Sequence, residues 1–425
     1  MINSTIRHIS TLDIFPSKED LKDAKRETSD IVDKLKEQIK KQGIVADVFI
    51  GGSFAKGTIV KKDDFDVDIF IRFNWDYENL SQYLEKILSG VFGKKGYEKV
   101  HGSRDYFRVK GNRKIIFEIV PVLKIKNPKQ ARNVTDLSYF HVNYIRKKLK
   151  TEKLRNEVVI AKVFCKAQNV YGAENYIKGF SGYGLECLIA YYKSFEKMLK
   201  ALSKFKEREI LDIEKKYKKK TDVLIEMNES RLGSPIVLVD PTWRERNVLA
   251  ALSQETFKKF QDSARAFLKK PSKEFFIQKK ADAEKMQKEA VKRKAEFLRL
   301  EIATDRQEGD IAGGKLKKFS DFLIKETAKH FEILNSEFYY EEGKSADLHL
   351  ILKAKKEIVK IGPPLKLKEN VIAFKKANKN VFEKGGFLYS KIKIDYSAKQ
   401  FIIKFKDSTR QKMKEMGIID LKIMN

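Results

Sequence analysis

The segment FDVDIFIRF (Phe65–Phe73) constrains this chain more than any other. Its β-branched and aromatic residues predict a strand, and side chains on a strand alternate between faces. Phe65, Val67 and Ile69 therefore point into a core, and Asp66 and Asp68 share the other face. Two carboxylates on one face repel unless a cation lies between them. Mg²⁺ takes a few carboxylates together with phosphate oxygens, and a pair of such ions steadies both the attacking and the leaving oxygen of a phosphoryl displacement. An amphipathic strand with one wet face is the plainer alternative.

The residues just upstream favour the metal. Gly51-Gly52-Ser53 falls between a strand predicted over 44–50 and a short helix beginning at Ser53. Glycine there lets backbone N–H groups approach an anion, and the helix N-terminus adds its dipole. A Walker A loop is excluded: Gly52 and Gly57 have its spacing, but Thr58 stands where it needs lysine. Glu118, in IIFEIVP, is the candidate third carboxylate, an acid inside an apolar strand that is metal-bound, paired or at an exposed sheet edge.

At 425 residues the chain is long enough for about three domains. It carries 89 Lys+Arg against 59 Asp+Glu, a net +30, a field that draws in polyanions. Nucleic acid is the leading partner that follows, an anionic membrane surface the second, and a merely Lys-rich composition the neutral explanation. Cys165 and Cys187 lack metal-ligand spacing and suit reduced core thiols. The N-terminus has no signal-peptide pattern, and no apolar run approaches the ~18 residues of a membrane span. A soluble cytoplasmic protein is expected.

Along the chain, a helix is predicted from a Ser17 cap to Gly43, followed by strand 44–50, the glycine turn, strand 65–73, a helix in YENLSQYLEKILSG, and strands at YFRVKG and KIIFEIVPVLKI. From 141 to 270 helix-period segments dominate, including single helices over 181–202 and after the turn at Asp240-Pro241. A long polar helix is expected over 279–302, a loop at RQEGDIAGGKLKKF, and strands at ADLHLILKA, SKIKIDYS and QFIIKFK.

The order G-S-x-A-x-x-T, D-x-D and a third acid on a later strand resembles the nucleotidyltransferase superfamily of DNA polymerase β. The segments YFHVNYI, VYGAENYIKGFSGYGLECLI, VDPTWRERNVLAALS and GPPLKLKENVIAFKKANKNVFEKGGFLY are similar to class I, archaeal-type CCA-adding enzymes. That resemblance implies an α+β multidomain fold: a polymerase-β-like catalytic head with a mixed sheet over 1–140, a mainly helical neck over 141–270, and an α/β body and tail over 271–425 that binds tRNA. It implies addition of C, C and A to tRNA from CTP and ATP, with two Mg²⁺ held by Asp66, Asp68 and Glu118. Glutamate at the third position departs from the aspartate common in the family. Gly52 and Ser53 match its triphosphate turn, Ser138 and His141 polar residues near the nucleotide, Lys162 and Tyr171 contacts to triphosphate and sugar, and Asp240 and Arg246 neck residues near the base. Taken singly, Lys162 also suits a snorkelling lysine, Tyr171 a core aromatic, His141 a structural histidine and Arg246 a surface ion pair.

Two other functions compete, a poly(A)-type or other terminal nucleotidyltransferase and a catalytically silent RNA-binding module. A homodimer is compatible with either. The basic last third lacks the interleaved aromatics of single-strand readers, which favours a folded duplex such as the acceptor and TΨC arms of tRNA. Binding to tRNA is expected to weaken by about 10³-fold or more between 50 and 200 mM salt. A filter-binding series across that range checks it, and a flat response refutes it.

Overall fold

The computed structural model describes residues 12–62, 64–102, 104–112, 115–278 and 282–424. They divide into two compact units, 1–278 and 279–425.

The first unit opens with α1 (Lys18–Lys41). The Ser17 hydroxyl accepts from the Asp20 N–H and the Asp20 carboxylate accepts from the Ser17 N–H, a reciprocal cap that fixes where the helix starts. Then follow β1 (Ala46–Ile50), α2 (Gly52–Lys56), β2 (Phe65–Phe73), α3 (Leu80–Phe92), β3 (Glu98–Val100), β4 (Tyr106–Lys110) and β5 (Ile115–Leu123). The five strands form one mixed sheet in the order β1-β2-β5-β4-β3. Only β2 and β5 run parallel within it. Val67, Ile69, Ile71 and Phe73 bury the odd-numbered face of β2 against Leu35 of α1 and Leu84 of α3. The even-numbered face, with both aspartates, is turned away from that core.

The rest of the first unit is mainly helical: α4 (Ser138–Lys148), α5 (Glu152–Ala167), α6 (Gly182–Tyr192), α7 (Phe195–Leu202), β6 (Glu209–Leu211), α8 (Lys220–Glu226), α9 (Glu229–Leu232), β7 (Ile236–Leu238) and α10 (Gln254–Lys269). Its core is dense in phenylalanine. The Phe164 ring lies 5.3 Å from Phe195, 5.7 Å from Phe267 and 5.8 Å from Phe276, centroid to centroid. Burying each such ring contributes on the order of 2 kcal/mol. Cys165 and Cys187 are free thiols within this core.

The second unit contains α11 (Ala283–Lys292), β8 (Glu296–Ala303), α12 (Asp310–His330), β9 (Phe331–Tyr340), β10 (Ser345–Ala354), β11 (Glu357–Pro364), α13 (Lys368–Ala377), β12 (Val381–Lys384), β13 (Phe387–Lys393), α14 (Ala398–Ser408), α15 (Arg410–Glu415) and β14 (Asp420–Met424). Its antiparallel sheet, β14-β8-β10-β9, buries Leu300, Ile302, Leu348 and Leu350 against Leu316 and Phe319 of α12 and Ile402 of α14. A second sheet has the order β11-β13-β12. No helix among the described residues is long and apolar enough to cross a membrane.

Several predicted elements differ. The helix over 181–202 is two, because Lys193 is left-handed (φ 64°) and Ser194 caps a new start. No helix follows Asp240 until Gln254, because the Asn247 side-chain oxygen accepts from Leu238 and Leu249 N–H and holds the chain in turns. The polar helix ends at Lys292, and EFLRLEI beyond it is strand β8, with Leu298, Leu300 and Ile302 alternately buried. Of the loop expected at RQEGDIAGGKLKKF only RQEG is one, since α12 starts at Asp310, and QFIIKFK lies in helix α14 rather than a strand.

A buried carboxylate ties β5 to the segment entering α4. Asp136 accepts from the Leu123, Arg132 and Asn133 N–H groups at 2.9–3.0 Å and pairs with Arg104. Asp136→Ala is expected to destabilise the first unit by about 3–5 kcal/mol, since it strands the Arg104 guanidinium and three amides. Urea denaturation followed by fluorescence measures it.

Candidate active site

Strand register assembles the acids. In the parallel pairing Asp68 lies opposite Glu118, and on the far side of β5 Arg108 lies opposite Glu118. Asp68, Glu118 and Arg108 thus form a row across three strands, with Asp66 one step along β2. Arg108 Nε donates to Glu118 Oε1 at 3.0 Å, and Lys62 Nζ pairs with Asp66. The glycine turn closes against this row. Gly51 N–H donates to the Asp68 carbonyl oxygen at 2.9 Å. Gly52 is left-handed (φ +61°), and a Cβ there would lie 1.6 Å from Asp68 Oδ2, so glycine is obligatory on two counts. Ser53 follows in the first turn of α2.

Crowding perturbs the acids. Burial, together with the negative charge of Glu118, pushes Asp68 up to about 7, with Lys56 opposing. Glu118 is also raised, by burial foremost, against the pull of Arg108. Burial would depress the Lys62 ammonium, but its hydrogen bond to Asp66 wins and raises it. No ready-made group of three metal-ligating side chains exists among the described residues. The donor set still suits a hard divalent cation: carboxylate oxygens only, two of them held against their tendency to ionise, with a cation's charge the natural relief.

Lys162 of α5 is buried and committed. Its Nζ donates to Glu186 Oε1 at 3.0 Å and to the Thr58 carbonyl and hydroxyl oxygens at 3.1 Å. Lys56 Nζ donates to Glu186 Oε2 at 2.6 Å, and the Thr58 hydroxyl to Oε1 at 2.7 Å. Burial opposes ionisation of Glu186, but the two ammonium groups outweigh it and hold the carboxyl down at about 2. Tyr171 lies beyond α5, with the Lys166 ammonium 5.1 Å from its ring centre and a bridge to Phe180. Its hydroxyl lies 2.9 Å from where a Cβ on Gly182 would be. Burial, then Glu186, raises the phenol, which keeps it neutral.

A third cluster surrounds Asp240, which is fully buried. Asp240 Oδ2 meets His141 Nε2 at 3.1 Å and accepts from Arg246 Nη1 at 2.7 Å. Oδ1 accepts from Thr242 N–H at 2.8 Å and Tyr183 OH at 3.2 Å. The His141 ring stacks on Tyr183 at 3.9 Å. Burial alone would raise Asp240, but these donors, His141 first, hold it well below the usual carboxylate range; burial lowers His141. Ser138 begins α4, one turn before His141. Arg246 also lines a cavity of about 470 Å³ with Arg132, Ser181, Arg231 and Trp243.

The predicted site residues therefore fall into three neighbouring groups: Gly52, Ser53, Asp66, Asp68 and Glu118 on the sheet, Lys162 and Tyr171 behind the turn, and Ser138, His141, Asp240 and Arg246 around a buried acid. Lys56 joins them, since its charge acts on both Asp68 and His141. The sequence reading passed over Lys56, Lys62, Arg108, Tyr183 and Glu186. Glu186 carried the signal already used for Glu118, an acid within an apolar segment, GLECLIA.

A family model described as tRNA nucleotidyltransferase, second domain, matches residues 156–277. Another, described as Second Messenger Oligonucleotide or Dinucleotide Synthetase domain, matches residues 3–139. The CCA-adding enzyme of Nanoarchaeum equitans is 40% identical over 246 residues, 57% of this chain and 59% of that one. That of Saccharolobus shibatae is 31% identical over 68% of this chain and 65% of its own length. The alignments thus span less than two thirds of these two relatives. With the Methanocaldococcus jannaschii enzyme, identity is 29% over 96% of this chain and 90% of the relative.

Asp68 makes stability depend on pH. Its folded-state pKa lies above the unfolded one, so its cost is absent below the usual carboxylate range, grows as pH rises from there to about 7, and is complete above that. In EDTA, Asp68→Asn is expected to stabilise the protein by about 2 kcal/mol at pH 8, solvent access screening the rest, and by well under half as much at about pH 4.5. Thermal melts at the two pH values check this.

Proposed function

We propose that this chain, similar along its length to archaeal CCA-adding enzymes, is a nucleotidyltransferase of that type and adds C, C and A to the 3′ end of tRNA from CTP and ATP without a nucleic-acid template. The observation that carries this reading furthest is the register that sets Asp68 beside Glu118, with Asp66 one step away and the Gly52 turn closed over them.

In the proposed reaction the tRNA 3′-hydroxyl attacks the α-phosphorus of the nucleotide, a P–O bond forms, and pyrophosphate leaves. Asp66, Asp68 and Glu118 would hold two Mg²⁺, which supply charge for the attacking and leaving oxygens. One of the three acids takes the hydroxyl proton. The N–H groups of the Gly52-Ser53 turn receive the triphosphate tail, Lys162 adds its positive charge from behind the turn, and Tyr171 lies toward the sugar. Ser138, His141, Asp240 and Arg246 face the base, with Asp240 fixed by His141 and Arg246 so that it cannot rotate between nucleotides.

On this reading residues 1–140 are a catalytic head, 141–270 a nucleotide-binding neck and 271–425 a body and tail carrying the acceptor and TΨC arms. Its setting is the cytoplasm, and a homodimer is compatible with it.

Incubated with Mg²⁺, labelled nucleotides and a tRNA that ends before CCA, the protein is expected to add three nucleotides, C before A. A long A tract would instead assign a poly(A)-type transferase. Asp66→Ala or Asp68→Ala should lower addition by roughly 10³-fold or more while tRNA affinity stays within about twofold. Wild-type turnover in either variant overturns the metal assignment.

A further inference from the structure

Glu186 has been given no role in the reaction above, yet it holds two lysines next to the phosphate turn. Its side chain is 0% exposed, and those of Lys56 and Lys162 are 10% and 4% exposed. Lys56 ends α2, the helix that starts at the turn, and Lys162 comes from α5, so the carboxylate joins two elements separated by more than a hundred residues. Thr58 satisfies what remains, its hydroxyl donating to Glu186 and its carbonyl and hydroxyl oxygens accepting from Lys162.

The charge count decides what this cluster is for. Two ammonium groups share one carboxylate, which leaves a net positive charge in a nearly dry place. A purely structural ion pair needs one partner and would be neutral. A buried surplus cation is costly unless an anion comes to it. Lys56 ends the short helix that begins at the Gly51-Gly52-Ser53 turn, and its charge is felt at Asp68 beside that turn.

We infer that Glu186 is a positioning residue: anchored by Lys162, whose three N–H donors are all spent on Glu186 and Thr58, its carboxylate keeps the Lys56 ammonium fixed toward the turn, so that Lys56 grips the β- and γ-phosphates of the incoming nucleotide. The inference rests on the reading of this turn as the triphosphate site. The grip is on the leaving end of the nucleotide, remote from the bond being made. It acts alike on ground state and transition state, so its loss raises KM and spares kcat.

The test compares wild type with Glu186→Gln, which keeps the shape and removes the charge. KM for both CTP and ATP is expected to rise about tenfold with kcat within about threefold. Direct titration with Mg·ATP, without RNA, should show affinity weakened to match. Glu186→Asp, which restores charge on a shorter arm, should recover part of the loss. Unchanged KM, or a drop in kcat and melting temperature at constant KM, overturns the inference and leaves Glu186 a strut. Should Glu186→Gln fail to fold, Lys56→Met leaves a balanced Lys162–Glu186 pair and should raise KM severalfold; an unchanged KM there is equally fatal. The titration separates the two readings. Weakened ATP binding in a protein that does not add CCA defeats the function and keeps the positioning role, and normal binding in a protein that does add it defeats the positioning role alone.

Discussion

The structure is organised around repulsion among three acids. Asp66 and Asp68 share a face because a strand has period two, and Glu118 joins them because β5 runs parallel to β2 in that register. Within the sheet only Arg108 of β4 answers this crowding. The surroundings add Lys62 on Asp66 and the charge of Lys56 near Asp68. Burial first, and the charge of Glu118 after it, still push Asp68 up to about 7. A fold that tolerates such a residue keeps it for work, since an asparagine there would be more stable at neutral pH and unable to bind a metal.

Where the pattern was strong, the fold was legible. The alternation of FDVDIFIRF specified a strand with those bounds, and Ser17, Asp20 and Gly43 bounded α1. Failures came where a local signal had two interpretations. QFIIKFK alternates like a strand, but Ile402 and Phe405 are buried three apart and Ser397 with Gln400 forms a capping box. Glycines suggested a loop before α12, yet Gly313 is a buried helical position beside Ala312 and Leu316. After Asp240 the apolar residues of NVLAAL have helical spacing, but Asn247 supplies side-chain partners to Leu238 and Leu249 that the helix would have had to supply itself.

The site was legible in a different way. Asp66, Asp68, Gly52 and Ser53 could be picked out by spacing because they lie within one strand–turn–helix passage. Lys162, His141, Asp240 and Arg246 could not, since nothing local marks them and only resemblance drew attention to them. What no single stretch displays is pairing. His141 and Asp240 are 99 residues apart, and Lys56 and Glu186 are 130 apart. Buried charge is the sequence-level trace of such pairs, and Glu118 and Glu186 both left it.

Pairing also reconciles the site with the chain's overall charge. A net +30 favours a polyanionic partner, but mobile cations of that density would quench three carboxylates meant for metal. Around the acids each nearby cation is instead assigned: Lys62 to Asp66, Arg108 to Glu118, Lys56 and Lys162 to Glu186. The partners are unequal in kind. Lys62 and Arg108 reach the surface, and a divalent ion with twice the charge can displace them at little cost. Lys56 and Lys162 are held by an acid sealed from solvent, which no ion can reach without opening the core. The exchangeable cations therefore stand where a metal must enter, and the fixed ones where a phosphate must be held.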